Sequence, residues 1–253
     1  MRLLGLIIAF FSALTLAGCG DNRTSSYQGW IEADLIFVGP DENGRIEVLK
    51  VREGDTVSKT APLFSLEADL QKSDEIAARA TAENARIAFA RAEQLAKTNS
   101  GTQKAYDDAQ AALREAQARL NSAQTRLSRR TVVSPVAGVI QQVYFREGEL
   151  VVAGRPIVAI LPPGNVKVRF YIAQASLPRI AIGDEVAVHC DGCGAQKAKI
   201  SFIARQAEYT PPVIYSEQER NKLVFLVEAL PERPADLRVG QPANVTVTLR
   251  EQK

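Results

Sequence analysis

The sequence predicts an elongated, multidomain protein of mixed α and β structure. A β-sandwich is split into two halves by an inserted antiparallel α-helical coiled-coil hairpin, and a small β-barrel follows. Three observations predict this fold class. A β-rich unit that starts at Gly44 is repeated 94 residues later, at Gly138. An alanine-rich polar stretch separates the two copies, and a series of short β-prone runs follows Leu161.

The composition limits the classes of function. The chain has 253 residues and a formal net charge of +2 at pH 7. So small an excess of Lys and Arg does not provide the cationic surface that neutralises phosphates, and nucleic acid is excluded as a partner. The single His, His189, restricts a Ser–His or Cys–His catalytic arrangement to one place. We therefore expect no enzyme activity, no catalytic residue and no cofactor.

The N-terminus has the pattern of an export signal. Arg2 precedes an apolar run of signal-peptide length that ends in small residues before Cys19. The ending, LAGC, resembles a bacterial lipobox, and this resemblance implies cleavage before Cys19 and lipidation of that residue. Residues 1–18 are then the signal peptide, and residues 19–36 form a lipidated tether beside a membrane. An uncleaved anchor and a plain secretory signal are the alternatives.

The repeated unit predicts two short strands joined at a glycine turn. Aligned on Gly44 and Gly138, the copies share Gly54 and Gly148 ten residues on, each preceded by Arg-Glu. A unit of this size buries little on its own, so the two copies are expected to face each other as one small sandwich. The four glycines are predicted to be its turn glycines. The two halves are predicted at residues 37–66 and 131–163.

The two halves resemble those of a biotinyl or lipoyl domain. Carrier domains of that type join the halves by a tight hairpin that presents a modified Lys, whereas about 65 residues lie between them in this chain. We therefore predict no lipoylation or biotinylation. Lys72, a few residues into the first predicted helix, is a poor candidate for a carrier lysine.

The sequence predicts that residues 67–130 form the helical hairpin, with its tip at about 95–102. The two helical segments are rich in Ala and lack Gly and Pro, and only TNSGT separates them. The second helix has a strict heptad seam. The first helix offers two apolar stripes, and the sequence does not decide which faces its partner. The seam is Tyr106, Ala109, Leu113, Ala116, Leu120, Ala123 and Leu127; the stripes are Ala78, Ala82, Ala85, Phe89, Ala92 and Ala96, and Leu70, Ala77, Ala80 and Ile87.

The sequence predicts that residues 164–253 form the β-barrel, with a helix from Ala173 to Ile180 between its first two strands. Cys190 and Cys193 flank Asp-Gly, a hairpin-turn signature. In an oxidising compartment the favoured interpretation is a local disulfide across that turn. Free thiols, and a metal or redox role, are the alternatives. No metal site is predicted, because neither a second His nor another CxxC pair is present to complete four ligands.

A sandwich split by a hairpin, on a chain with a lipobox-like signal, resembles the periplasmic adaptor, or membrane fusion, proteins of the HlyD family. In that family the hairpin tip carries an Arg, a Leu four residues later and a Ser seven residues after that, which engage a TolC-like outer-membrane channel. The matching positions here are Arg91, Leu95 and Thr102. The resemblance implies that these three dock the channel. The alternatives are a solvated Arg91, a Leu95 in the hairpin core and a Thr102 that caps the second helix.

The resemblance also implies partners and a location. The segment from Ala207 is similar to lipoprotein members that accompany ABC-type exporters, and little sequence follows the barrel to build the further domain usual in adaptors of proton-driven pumps. We therefore expect an inner-membrane ABC transporter as partner, together with the channel and five further copies in a hexamer. The protein is expected in the periplasm of a Gram-negative bacterium, anchored by Cys19 to the inner membrane. The alternatives are a structural envelope scaffold and an unmodified lipoyl-like carrier module.

Overall fold

The computed structural model describes residues 24–209 and 223–250, which form two compact units. Residues 34–165 form the sandwich–hairpin unit, and the described residues before and after them form the barrel unit. Cys19 and the predicted signal peptide lie outside the described residues.

Fifteen strands and two long helices are described. The strands are β1 Thr24–Ala33, β2 Ile36–Val38, β3 Gly44–Leu49, β4 Thr56–Val57, β5 Pro62–Leu66, β6 Thr131–Val133, β7 Gly138–Val143, β8 Leu150–Val151, β9 Val158–Leu161, β10 Val166–Ala173, β11 Glu185–His189, β12 Gln196–Ile203, β13 Glu208–Tyr209, β14 Leu223–Pro231 and β15 Pro242–Thr248. The helices are α1 Asp69–Lys97 and α2 Gln103–Ser128.

The sandwich consists of two four-stranded antiparallel sheets, and each sheet draws strands from both copies of the repeat. Their orders are β2-β9-β7-β4 and β6-β5-β3-β8. The short strand of each copy pairs with the long first strand of the other copy, β4 with β7 and β8 with β3. The core between the sheets is built from side chains of both copies, including Ile46, Phe64, Ile140 and Ile160. Neither half can therefore complete its core alone.

Reciprocal hydrogen bonds give the sandwich an internal pseudo-two-fold symmetry. The Gly54 N–H donates to the Ile140 carbonyl at 2.8 Å, and the Gly148 N–H donates to the Ile46 carbonyl at 2.8 Å. Residues 94 positions apart are equivalent in the two copies. The first copy therefore donates to the second through one bond, and the second donates to the first through the equivalent bond. The repeat in the sequence thus encodes an exchange of contacts between its copies.

The four repeat glycines serve two different purposes. Gly54 and Gly148 have φ values of +91° and +86°, which side chains rarely adopt, so they are turn glycines. Gly44 and Gly138 are not: each is the first residue of a strand. A Cβ at Gly138 would lie 2.5 Å from the Leu161 carbonyl oxygen, so this position requires Gly because another backbone passes close by.

The hairpin contains one buried seam, formed by the predicted heptad of α2 and the first of the two stripes on α1. Ala82, Ala116 and Ala123 are buried along it, and the rings of Phe89 and Tyr106 meet with centroids 5.4 Å apart. Small side chains at these positions let the helices approach closely. The other stripe on α1, which includes Leu70, is exposed. Neither described helix has an apolar stretch sufficient to cross a membrane.

A buried arginine ties the base of the hairpin to the sandwich. Arg130, two residues after the end of α2, is 9% exposed. Its guanidinium donates to the Asn43 carbonyl at 2.9 Å and pairs with the Glu42 carboxylate at 3.0 Å. These contacts join the end of α2 to the loop between β2 and β3. They fix where the chain leaves the hairpin.

Six strands of the barrel unit close into a barrel. Their order is β10-β1-β15-β11-β12-β14, with β10 pairing β14 to complete the circle, and β13 extends the edge at β14. The expected tether is wrong from Thr24 onward, because Thr24–Ala33 is a barrel strand that pairs with both β10 and β15. The helix expected at 173–180 is a short 3₁₀ helix, Gln174–Arg179, which contains Pro178. The predicted fold class is confirmed.

Candidate functional site

The hairpin tip is built around one backbone carbonyl. After α1 ends, the N–H groups of Ser100 and Gly101 both donate to the Leu95 carbonyl oxygen, at 2.9 and 3.1 Å. Asn99 adopts a φ of +54°, a conformation that Asn tolerates better than most residues. A Cβ at Gly101 would lie 3.0 Å from the Cβ of Leu95. The sequence TNSGT therefore forms a tight, hydrogen-bonded turn.

Two of the three predicted docking residues lie exposed on one face of α1. Leu95 is 49% exposed, although large apolar side chains in a hairpin normally pack inward. Arg91 lies one turn earlier, at the i, i+4 spacing that puts two side chains side by side. Within the described part of the chain its guanidinium forms no ion pair or hydrogen bond. The pair presents an apolar group beside a free cation.

Thr102 is the N-cap of α2. Its Oγ1 accepts a hydrogen bond from the Ala105 N–H at 3.1 Å, which satisfies one of the free donors at the helix start. The hydroxyl is exposed and acts there only as an acceptor, so its proton remains available to a partner. The capping role expected from the sequence is present, and it leaves the hydroxyl able to donate.

The other charges near the tip are already paired. Lys97 contacts Glu93 at 3.0 Å, and Lys104 contacts Asp108 at 2.7 Å. The hydrogen bond from Lys104 to Asp108, with the attraction of the same carboxylate, raises the pKa of Lys104 above its ordinary value. These lysines are engaged along their own helices, so Arg91 is the cation that a partner can reach without breaking an existing pair.

The barrel unit carries the other predicted site. Cys190 and Cys193 are joined as a disulfide across the turn between β11 and β12, and the Cys193 N–H donates to the Cys190 carbonyl at 3.2 Å. Gly192 in that turn has a φ of +77°. In the described part of the chain no three His, Cys, Asp or Glu side chains come together as a metal site would require.

The sequence reasoning missed the role of the repeated glutamates. Glu53 Oε1 accepts from the Val143 N–H at 3.0 Å, and Glu147 Oε1 accepts from the Leu49 N–H at 2.8 Å. Each glutamate thus binds the backbone of the other copy. The signal was available, since both copies have Glu before the turn glycine, but only the fold shows that the two bonds cross between copies.

Comparison with known proteins gives one family match. Residues 63–130 match the family model described as the alpha-helical hairpin domain of RND MFP. A UPF0194 membrane protein from Acidithiobacillus ferridurans is 26% identical over 121 residues, which is 47% of this chain and 36% of that protein. The chain thus spans little more than a third of the length of such curated relatives.

Solved structures show the same fold at low identity. A MacA–MexA chimeric protein, with the Pseudomonas aeruginosa MexA α-hairpin domain, has a TM-score of 0.74 at 19% identity, covering 90% of this chain and 81% of that one. The membrane fusion protein Spr0693 from Streptococcus pneumoniae R6 has a TM-score of 0.68 at 18% identity, covering 90% of this chain and all of that one.

Proposed function

Because the hairpin domain and the fold are those of the membrane fusion proteins, we propose that this chain is the periplasmic adaptor subunit of a tripartite efflux or secretion system. It links an inner-membrane transporter, of the ABC type, to a TolC-like outer-membrane channel. The observation that carries this proposal is the hairpin tip, where Leu95 and Arg91 lie exposed and free at the end of a hairpin inserted into the split sandwich.

The tip has the chemistry of a docking surface. The exposed part of Leu95 would bury apolar area against a partner, and the Arg91 guanidinium offers five donors to carboxylates or carbonyls. The Thr102 hydroxyl can add one further hydrogen bond. The tight turn presents these groups from a rigid support, which lowers the entropy lost on binding.

The function proposed for the rest of the chain is mechanical. Copies of the sandwich–hairpin unit would assemble around a conduit as a hexamer, and the transporter would supply the energy by ATP hydrolysis. Lipidated Cys19 would hold the protein at the inner membrane on its periplasmic side. The Cys190–Cys193 disulfide is compatible with that oxidising compartment. No catalytic step is assigned to the adaptor.

A complementation experiment tests the proposal. In cells lacking the gene, we expect loss of export of the transporter's substrate. Wild type should restore export, and the double variant Arg91→Ala/Leu95→Ala should not. A matched control, Arg114→Ala/Ile76→Ala, removes an exposed Arg and an exposed apolar side chain from the same hairpin outside the tip and should restore it.

Two results would contradict the proposal. Full export with the tip variant would mean that the tip does not dock a channel. Normal export without the gene, together with an envelope defect, would favour the structural scaffold instead.

A further inference from the structure

One end of the barrel contains the start of β1. Thr24, the first residue of β1, pairs with Thr248 at the end of β15, and β11 begins beside β15 at the same end. Two residues after Thr248, the Arg250 N–H donates to the Arg179 carbonyl at 3.0 Å. We name this end, where β1 and β11 begin and β15 ends, the tethered end. At the opposite end β1 ends, β10 begins and the chain passes into the sandwich–hairpin unit.

The tethered end lies within a short chain length of Cys19. Only five residue steps separate Cys19 from Thr24. A fully extended chain of that length spans at most about 17 Å, which is little more than half the hydrocarbon thickness of a bilayer, about 30 Å. This inference rests on the proposed function, in which lipidated Cys19 lies at the membrane surface. The start of β1 must then stay within that distance of the lipid headgroups.

A tight turn at the tethered end exposes an isoleucine. The Asp184 N–H donates to the Ala181 carbonyl at 3.2 Å, and Gly183 has a φ of +93°. Ile182, the second residue of this turn, is 67% exposed. The Asp184 carboxylate accepts from the Ala181 N–H at 2.8 Å and also pairs with Arg250. The turn is therefore held firmly, while the Ile182 side chain contributes little to the barrel core.

The same kind of turn occurs at the opposite end of the barrel. There the Gln241 N–H donates to the Arg238 carbonyl at 3.1 Å, and Gly240 has a φ of +86°. Val239, the second residue of that turn, is 42% exposed. An exposed apolar residue in such a turn is therefore not by itself a sign of a partner. Ile182 differs from Val239 in lying at the end of the barrel that Cys19 holds near the membrane.

The tethered end also has arginines that can meet anionic groups. Arg205, which follows the end of β12, is exposed. The Arg179 guanidinium donates to the Arg250 carbonyl at 2.8 Å. Among the described residues neither Arg179 nor Arg205 has a carboxylate partner. The carboxylates at this end are engaged within the barrel: Asp184 with Arg250, Glu185 with Lys197 at 3.0 Å, and Glu208 with the Tyr171 hydroxyl at 2.8 Å.

We propose that the tethered end of the barrel binds the surface of an anionic phospholipid bilayer. Ile182 enters the headgroup region, and Arg179 and Arg205 contact lipid phosphates. An apolar side chain beside two cations matches the apolar and anionic layers of such a surface. The anchor at Cys19 makes the contact intramolecular, so contacts that are weak individually are sufficient.

Tryptophan fluorescence of the full-length, lipidated chain in vesicles tests this contact. The wild-type chain has one Trp, Trp30, which pairs with Pro242 at the opposite end of the barrel. Ile182→Trp and Val239→Trp each add a second Trp at equivalent turn positions. The vesicles consist of phosphatidylethanolamine and phosphatidylglycerol, with or without bromine on the part of the acyl chains nearest the headgroups.

Bromine should quench the added emission of Ile182→Trp, and that emission should shift to shorter wavelength. The emission of Val239→Trp and of the wild-type chain should not change. Absence of quenching at position 182, or equal quenching at position 239, would overturn the proposal.

The charge of the lipid and of the protein provides a second test. Quenching of Ile182→Trp should fall when phosphatidylcholine replaces phosphatidylglycerol. Adding Arg205→Gln should weaken the contact about fivefold, because a basic residue near an anionic surface favours binding by about that factor. Arg238→Gln, which removes an exposed arginine from the opposite end, should have no effect. Equal quenching in both kinds of vesicle, or equal effects of the two arginine changes, would contradict the proposal.

Failure of this inference can be told from failure of the proposed function. If position 182 is not quenched while the hairpin tip still captures a channel, the membrane contact is wrong and the adaptor function stands. If position 182 is quenched and no channel is captured, the membrane contact is real and the adaptor function is wrong. Mass spectrometry of the purified chain checks the anchor, and an unmodified Cys19 would remove the basis of the inference.

Discussion

Removal of either repeated glutamate should weaken the sandwich, because each glutamate binds the backbone of the other copy. Glu53→Ala leaves the buried Val143 N–H without its acceptor at 3.0 Å, and Glu147→Ala does the same to the Leu49 N–H at 2.8 Å. A hydrogen bond to a charged group contributes about 1.5–3 kcal/mol, and both glutamates are exposed, so we expect a loss of about 1–2 kcal/mol for each.

Urea unfolding followed by circular dichroism at the helical band measures this loss, because both long helices belong to the same unit as the sandwich. Leu49 is less buried than Val143, so Glu147→Ala should be the milder change. Glu47→Ala, which removes another exposed glutamate from the same sandwich, should cost less than about 0.5 kcal/mol. The reasoning is refuted if only one of the two repeated glutamates matters, or if the control costs as much.

Three further changes test other parts of the same unit. Arg130→Met should cost about 1–3 kcal/mol in free energy of unfolding, since it removes the hydrogen bond to the Asn43 carbonyl and the pair with the partly exposed Glu42 carboxylate. Exposed Arg129→Met should cost little, and equal losses in urea melts would contradict this. Gly54→Ala should cost about 1–2 kcal/mol because of its positive φ, and Gly138→Ala should cost more because of the close carbonyl. A larger loss for Gly54→Ala than for Gly138→Ala in the same melts would contradict this reasoning. The hydrogen bond from Arg79 lowers the pKa of Glu75, so its stabilising effect is present above its ordinary pKa of 4.5 and is lost as the pH falls through the lowered value. Thermal melts from pH 7 to 3 should show a weaker acid dependence in Glu75→Gln, and an identical dependence would count against the pair.

Much of the fold could be predicted because its signals are periodic. The heptad of α2 and the Ala-rich stripe of α1 follow directly from residue spacing, and the repeat revealed a sandwich of two halves. Residue spacing did not show which of the two stripes on α1 faces α2, and the packing in the structure does. On α1 the stripe that includes Ala82 faces α2, while the stripe that includes Leu70 stays exposed.

Strand β1 could not be predicted in the same way. Its sequence, TSSYQGWIEA, begins with small polar residues, which resemble a tether when burial is unknown. In the structure Ile31 is buried, and a Cβ at Gly29 would lie 2.3 Å from the Arg169 carbonyl oxygen, so the strand is held by contacts that only the closed barrel supplies.

At the candidate site, the sequence identified the residues and the structure supplied their environment. The turn chemistry of TNSGT and the cap at Thr102 are local, and local patterns predict them. The exposure of Leu95 depends on how α1 rotates against α2, which is a property of the whole seam. Repeat spacing likewise found both glutamates, but the exchange of their bonds depends on how the two copies pair.

In-cell photo-crosslinking from position 95 tests the central claim most directly. A photoreactive amino acid would replace Leu95 in the full-length chain, with position 76 on the same helix as the control, and the captured species would be identified by mass spectrometry. The account predicts capture of a TolC-like outer-membrane channel from position 95 and not from position 76. Capture of only neighbouring copies or other envelope proteins from position 95 would contradict the adaptor function.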